Sequence, residues 1–465
     1  MKLSSSKPTL ALVTNDVIGE RMAGPGIRYW EFARILGRHF PVKLIVPPVI
    51  SMPNVPQPEK LAPFVHICSQ LEDFQSTIDD CDVIITLGVI LYFYPFLAEL
   101  GKPLVLDLYN PFLIENLQRE FESDFSKQLS SYESFLAALR VQLLAGDFFI
   151  CAGEKQRDYW LGTLSALGRV NPYTYRYDPT LRRLIDVAPF GLPAEAPQHT
   201  KMVLKGVYKT ITPTDKVIIW GGGIWNWFDA PTMIKAMPLI LKQRSDVKLF
   251  FMGVRRPNQD AATTRAVEQA VALAQELGLY NASIFFNDWV PYEERQNYLL
   301  EADIGVSLHL GFLETRFAFR TRFLDYVWTG LPVVATEGDV LSDTLAAQNL
   351  AHLVAPGDTE GVARTILSLL EHPNLRAGYV ERFRQVAAQY QWEVVARPLL
   401  EFCANPAVAP DKAYLSQTSF SRNRQNANLS LLQKGWRVWQ MDGVSGLLRQ
   451  SRDYMRWKLS KHQKL

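Results

Sequence analysis

A chain of 465 residues is too long for one ordinary hydrophobic core, and 48% hydrophobic with 21% charged residues is a globular balance, not a disordered or fibrous one. No run of eighteen apolar residues occurs, which excludes a membrane-spanning helix, and four dispersed cysteines (Cys68, Cys81, Cys151, Cys403) exclude a disulfide framework or a cysteine metal site. The net charge of +2 conceals an asymmetry: residues 422–465 hold ten Lys or Arg against two Asp, which leaves the preceding body at −6. No nucleic-acid partner is expected.

The N-terminal "MKLSSSKPTLALV" has too brief an apolar run for a signal peptide, so a cytoplasmic chain is expected. "TLALVT" reads as a buried strand, and "RMAGPGIRYWEFARIL" (21–36) as a glycine-proline-glycine turn running into a helix. A strand, a glycine turn and a helix N-terminus make an anion-binding corner. Gly24 and Gly26 fit a G-x-G-x-x-G fingerprint, but Tyr29 stands at its third glycine, which disfavours a nicotinamide dinucleotide. Further strands follow at "VKLIV", "DVIIT", "PLVLDLY" and "DFFICA". Asp80 and Asp82 in "DDCD" form an Asp-x-Asp, yet they run straight into a strand with no turn to present a metal site.

Residues 193–215 are polar and proline-bearing, and read as an interdomain linker between a first domain (1–192) and a second (216–404). Strands at "KVIIWGG", "VKLFFMG", "ASIFF", "DIGVSL", "PVVAT" and "AHLV" build the second half. Continuous apolar strands separated by helices predict an α/β protein of two Rossmann-like, doubly wound domains facing a cleft. "IIWGGGIWNWFDAPTMIKAM" places Gly222 and Gly223 where backbone N–H groups can approach a phosphate, with Asp229 as the N-cap of the next helix. In "LHLGFLETRFAFRTRFLDYVWTGLPVVAT" (308–336), Arg316, Arg320 and Arg322 crowd a helix entry, where cations oppose the helix dipole unless an anion is present. A diphosphate would resolve that conflict, with one arginine pairing instead with Glu314 or Asp303. His309 reads either as a packed residue or as a substrate contact.

Residues 391–403 read as a closing helix, 405–428 as a linker and 429–465 as a basic helical tail. In that tail Leu432, Trp436 and Trp439 recur at helical spacing among Lys434, Arg437, Arg449, Arg452 and Arg456. Tryptophans beside basic residues suit an anionic membrane surface, such as the cytoplasmic face of a membrane. Packing of the same helices on the body or on a partner protein, with their charges solvated, is the alternative.

A glycine loop in each domain and an acid–helix–"GLPVVAT" element together resemble glycosyltransferase family 4, over roughly residues 8 to 404. "VAPFGLP" (187–193), "FNDWVPYEERQNYLLEADIGVSL" (286–308) and Trp392 fall at corresponding places. The resemblance implies the GT-B fold and retaining transfer of a sugar from a nucleotide diphosphate to a saccharide or lipid-linked acceptor. Such chemistry serves cell-surface polysaccharide or glycolipid synthesis, and the nucleotide-sugar is a substrate, so no cofactor and no metal are expected. By the resemblance, Trp289 and Val290 meet the nucleobase, Asp325 the ribose, and Gly222, Gly223, Arg320 and Arg322 the diphosphate. Gly24, Gly26 and Arg28 form the first-domain glycine loop facing the donor.

This chain departs from the family in three places. The first acid of its paired-glutamate motif falls on Phe317 unless Glu314 replaces it. The cations beside the second glycine turn fall on a glycine and on Phe228, so Arg320 and Arg322 are expected to supply the charge. The reactive-site histidine falls on Tyr109, which makes Asp107 and Tyr109 neighbours of the sugar. Two other readings stay open. One is a tandem Rossmann-like oxidoreductase, and the other a catalytically silent GT-B protein that binds glycans or partners.

Overall fold

A computed structural model of the chain describes residues 7–20, 22–48, 61–121, 123–208, 210–254, 261–372 and 375–417. The tail of 429–465, with its membrane reading, lies outside the described residues.

The first domain holds β1 (Leu10–Val13), β2 (Val42–Val46), β3 (Val65–Ile67), β4 (Val83–Leu87), β5 (Leu104–Asp107), β6 (Phe148–Cys151) and β7 (Ile185–Val187). They form one parallel sheet in the order β3-β2-β1-β4-β5-β6-β7. The second domain holds β8 (Lys216–Trp220), β9 (Val247–Phe251), β10 (Ile284–Phe286), β11 (Ile304–Ser307), β12 (Val333–Thr336) and β13 (Ala351–Val354), ordered β10-β9-β8-β11-β12-β13. The strand period shows why the apolar runs are continuous. Leu10 and Leu12 enter one cluster and Ala11 and Val13 another, and Val217/Ile219 and Ile218/Trp220 divide in the same way. β3 and β7 are absent from the strand pattern read in the sequence. Each is a three-residue edge strand carrying a polar middle residue, His66 or Asp186, too short to show a period.

One sequence reading changes. Gly24-Pro25-Gly26 is not a turn before a helix but the first turn of the helix Gly24–Leu36, with Ala23 as its extended N-cap. Proline is accommodated there because first-turn N–H groups have no intrahelical acceptor. Asp80 and Asp82 are exposed at a helix-to-strand joint, where Asp82 accepts from Thr9 N at 2.8 Å.

Two crossings of the chain fix one domain on the other. At the first, Leu192 N donates to Tyr390 O (2.8 Å) and Trp392 N donates to Leu192 O (3.1 Å). The Trp392 indole lies against Gly191, where an added Cβ would meet the ring at 2.5 Å, and packs on Phe190 and Phe32. At the second, the helix Arg397–Ala404 stacks Phe402 on Phe148 of the first domain at 4.9 Å. The following residues do not behave as a linker. Asp411 meets Arg169 at 2.8 Å with both side chains fully buried, and Ala409 N donates to Asp147, so the described part of 405–428 is a strap on the first domain. A methyl at position 191 has to displace a large rigid ring, which costs about 1–3 kcal/mol. Gly191→Ala is therefore expected to lower the unfolding free energy in urea by that amount, and adding Trp392→Leu to recover part of it.

Candidate active site

Parallel strands present their C-terminal ends on one side, and both sheets turn those ends toward one cavity of about 590 Å³. The size suits a small-molecule ligand. Bonds across it hold the walls together: Tyr109 Oη donates to Phe319 O (3.3 Å), Gln156 to Phe317 O (2.8 Å), and Tyr292 Oη to Glu31 (3.3 Å).

On the first-domain wall the helix N-terminus already has an anion. Asp16, 2% exposed, accepts from Gly26 N at 3.2 Å. Gly26 is buried behind the wall, where an added Cβ would lie 2.6 Å from Val17 O, so its missing side chain serves the protein's own backbone. Gly24 faces open cleft with nothing within 4 Å of such a Cβ. Arg28 is buried. Its Nε and Nη2 donate to Asp107 at 2.7 and 3.2 Å, and Nη1 and Nη2 donate to the carbonyls of Pro189 and Ala188, each at 2.7 Å. The guanidinium also lies over Phe32 and Tyr109. Arg28, Asp107 and Tyr109 thus form one buried unit on the cleft wall, and both carboxylate oxygens of Asp107 are taken by Arg28. Burial raises the Tyr109 hydroxyl above its usual range, so it serves as a neutral donor.

On the second-domain wall Gly222 adopts φ +78° with open space around it, and Gly223 follows. The arginines converge on this loop. Arg322 Nη2 donates to Gly223 O at 3.1 Å, while Arg320 donates to Glu314 at 2.5 Å, the expected pairing of one arginine with an acid. Arg316 is exposed. Both guanidiniums lie against the Phe228 ring, 4.9 Å (Arg320) and 3.9 Å (Arg322) from its centre. Both arginines are 7% exposed, yet Arg320 Nε, Arg322 Nη1 and Glu314 Oε1 have no partner. Burial, with Arg320 adding to it, pushes Arg322 down to about 10, still cationic at neutral pH. His309 lies behind, fully buried, and burial with the same two charges pushes it down to about 3, so it is neutral.

Farther along, Trp289 and Val290 line the cleft, and Gly253 leaves room for the Trp289 ring, 3.0 Å from an added Cβ. Asp325 is half-buried and accepts from Arg295 at 3.1 Å; Arg295 lies over Tyr292 and Trp328. The structure also brings in residues that motif reading passed over. Trp225 and Trp227 stack at 5.2 Å beside the glycine loop, and Asn226 between them donates to Gln118 O and Arg119 O of the opposite domain. Glu115, on the helix Phe112–Arg119, lines the same cavity. Only the W-N-W spacing beside three glycines marked the first group in the sequence; nothing local marked Glu115.

Residues 215–372 match the family model described as glycosyl transferases group 1. The match lies within the second domain, which over that stretch is similar to glycosyltransferases. A phosphatidyl-myo-inositol mannosyltransferase of Mycolicibacterium smegmatis is 27% identical over 168 residues, which is 36% of this chain and 39% of that protein. The match therefore spans well under half of the curated relative. The sucrose-phosphate synthase of Thermosynechococcus elongatus superposes with a TM-score of 0.59 at 16% identity, covering 85% of this chain and 98% of that one. Anabaena Alr3699/HepE, solved with UDP and glucose, gives 0.58 at 14%, covering 86% and 100%. These likenesses show the GT-B fold.

Removing Asp107 strands a buried guanidinium, at a cost of about 3–5 kcal/mol. Asp107→Ala is expected to lose that much stability in urea unfolding. The double variant Arg28→Met/Asp107→Leu, which removes both charges, is expected to regain most of it.

Proposed function

We propose that the protein transfers a sugar from a nucleotide diphosphate to a saccharide or lipid-linked acceptor, with retention at the anomeric carbon and without a metal ion. One observation carries this reading: two buried guanidiniums, each with an unpartnered nitrogen, stand beside a glycine loop at the mouth of parallel strands. Buried charge without a counterion is costly, and Arg322 has a carbonyl, not a carboxylate, as its partner. A diphosphate supplies the missing negative charge and accepts from guanidinium and backbone donors together.

In the proposed reaction the bond between the anomeric carbon and the diphosphate oxygen breaks as the acceptor oxygen attaches on the same face. The departing phosphate oxygen takes the acceptor proton. The protein then needs chiefly to stabilise charge developing on the leaving group, the task of Arg320, Arg322 and the Gly222–Gly223 backbone. Trp289 and Val290 are the proposed nucleobase contacts and Asp325 the ribose contact, while Glu314 offers its free oxygen to the sugar. Leu117 (50% exposed), on the Phe112–Arg119 helix, and Phe121 (71%), Phe125 (75%) and Leu129 (46%), in the residues that follow it, are exposed next in sequence to residues that line the cleft. Exposed apolar residues there support an acceptor with a hydrocarbon part.

A thermal-shift panel of UDP, GDP, dTDP, ADP and NAD tests the donor class. A uridine or guanosine diphosphate is expected to stabilise the protein, whereas a response to NAD alone would make it an oxidoreductase. Nucleotide binding without transfer to any acceptor would identify a silent GT-B protein. Arg322→Ala is expected to lower turnover by roughly 10²–10³-fold, the usual loss when one donor to a developing charge is removed. Its melting temperature should change little, and the reverse pattern would make Arg322 structural. Transfer is expected to proceed unchanged in EDTA; loss of activity there, restored by Mn²⁺ or Mg²⁺, would overturn metal independence.

A further inference from the structure

Glu115 stands in the first domain where no motif places an acid. Its helix, Phe112–Arg119, packs against the turn Leu313–Phe317 of the second domain, so Glu115 lines the same cavity as Glu314 and Arg320 and feels the charge of both. Two acceptor oxygens on the same cavity have no partner: Glu314 Oε1 and Gln142 Oε1, each in a residue 1% exposed. Carboxylate and amide oxygens only accept hydrogen bonds, so whatever fills this corner must bring donors. Sugar hydroxyls are such donors, and they accept as well.

We propose that Glu115 is a further substrate-contacting residue, its carboxyl group hydrogen-bonding a hydroxyl of the sugar carried next to the diphosphate. This rests on the nucleotide-sugar reading above. The position follows from Arg320, which faces both Glu115 and the proposed diphosphate site. Burial first, and repulsion from Glu314 second, raise the Glu115 carboxyl to about 8, against the opposing pull of Arg320, Asn110 and Arg119. The helix Phe125–Ala145 packed beside it turns Phe135, Ala138 and Gln142 to the cavity, none of them titratable. At neutral pH Glu115 is therefore an uncharged acid. Its O–H donates to a sugar oxygen and its C=O accepts from a hydroxyl, while Glu314 and Gln142 accept only. A second carboxylate beside Glu314 would instead repel the diphosphate's charge.

The test compares UDP with UDP-glucose, and GDP with GDP-mannose, on wild type, Glu115→Gln and Glu115→Ala by calorimetry. The quantity read is the affinity that the sugar adds over the bare nucleotide. At pH 7 Glu115→Ala is expected to lose about tenfold of that increment, the scale of one hydrogen bond, while Glu115→Gln keeps it and the bare nucleotides bind all three proteins alike. At pH 9 wild type should lose the increment and Glu115→Gln retain it. An undiminished increment in Glu115→Ala, or equal loss in both variants, overturns the proposal. Failure of every nucleotide to bind wild type overturns the donor reading itself. As an activity-free control, the folded carboxyl binds its proton more tightly than the unfolded one. Wild type should therefore lose melting temperature relative to Glu115→Gln as pH rises from about 4.5 through about 8.

Discussion

The contact of Trp392 with Gly191 sets the geometry on which the cleft depends. Two parallel sheets can each fold on their own core, but their C-terminal strand ends make a common site only if the domains keep one orientation. The indole takes a place that no side chain at position 191 can share, and a backbone bridge between Leu192 and Gln391 pins the two segments beside it. The chain then returns to the first domain through Phe402 on Phe148 and the buried Arg169–Asp411 pair. The inner faces of both sheets consequently belong to one continuous hydrophobic cluster, while each outer face has its own.

Within that frame the cleft gathers positive charge in a dry place, and the chain limits the cost by three means. Phe228 offers two guanidiniums a shared aromatic surface. Glu314 neutralises Arg320, and the low basicity of His309 keeps a third positive charge from forming. What remains is Arg322, held by a carbonyl and by rings. Phe228 and the two arginines are therefore linked: the ring that stands beside the glycine loop is also the surface against which both guanidiniums rest.

The first-domain arginine is different in kind. Arg28 is satisfied on every side by Asp107, two carbonyls and two rings, and its charge is spent inside the protein. It holds the end of β5 against the helix Gly24–Leu36, and so fixes where Tyr109 presents its ring and hydroxyl to the second domain.

How much of this was legible in the sequence follows from the range of each interaction. Strand and helix alternation, the two-domain α/β class and the glycine loops are local patterns of apolar period and backbone freedom, and eleven strands could be read from them. β3 and β7 could not, because a polar residue interrupts each three-residue run and only the neighbouring strand makes them strands. The crowding of arginines near residue 320 was visible, and so was the need for one acid partner, because these groups lie within a few residues of one another. Which of them stayed unpartnered was decided by the turn at Gly223 and by Phe228, nearly a hundred positions away. The sequence likewise marked Gly26 for a close approach, but only the tertiary fold showed that the approaching group is Val17 O. Glu115 had no signal at all: its proximity to Glu314 spans two domains, and its raised proton affinity comes from burial that packing alone creates.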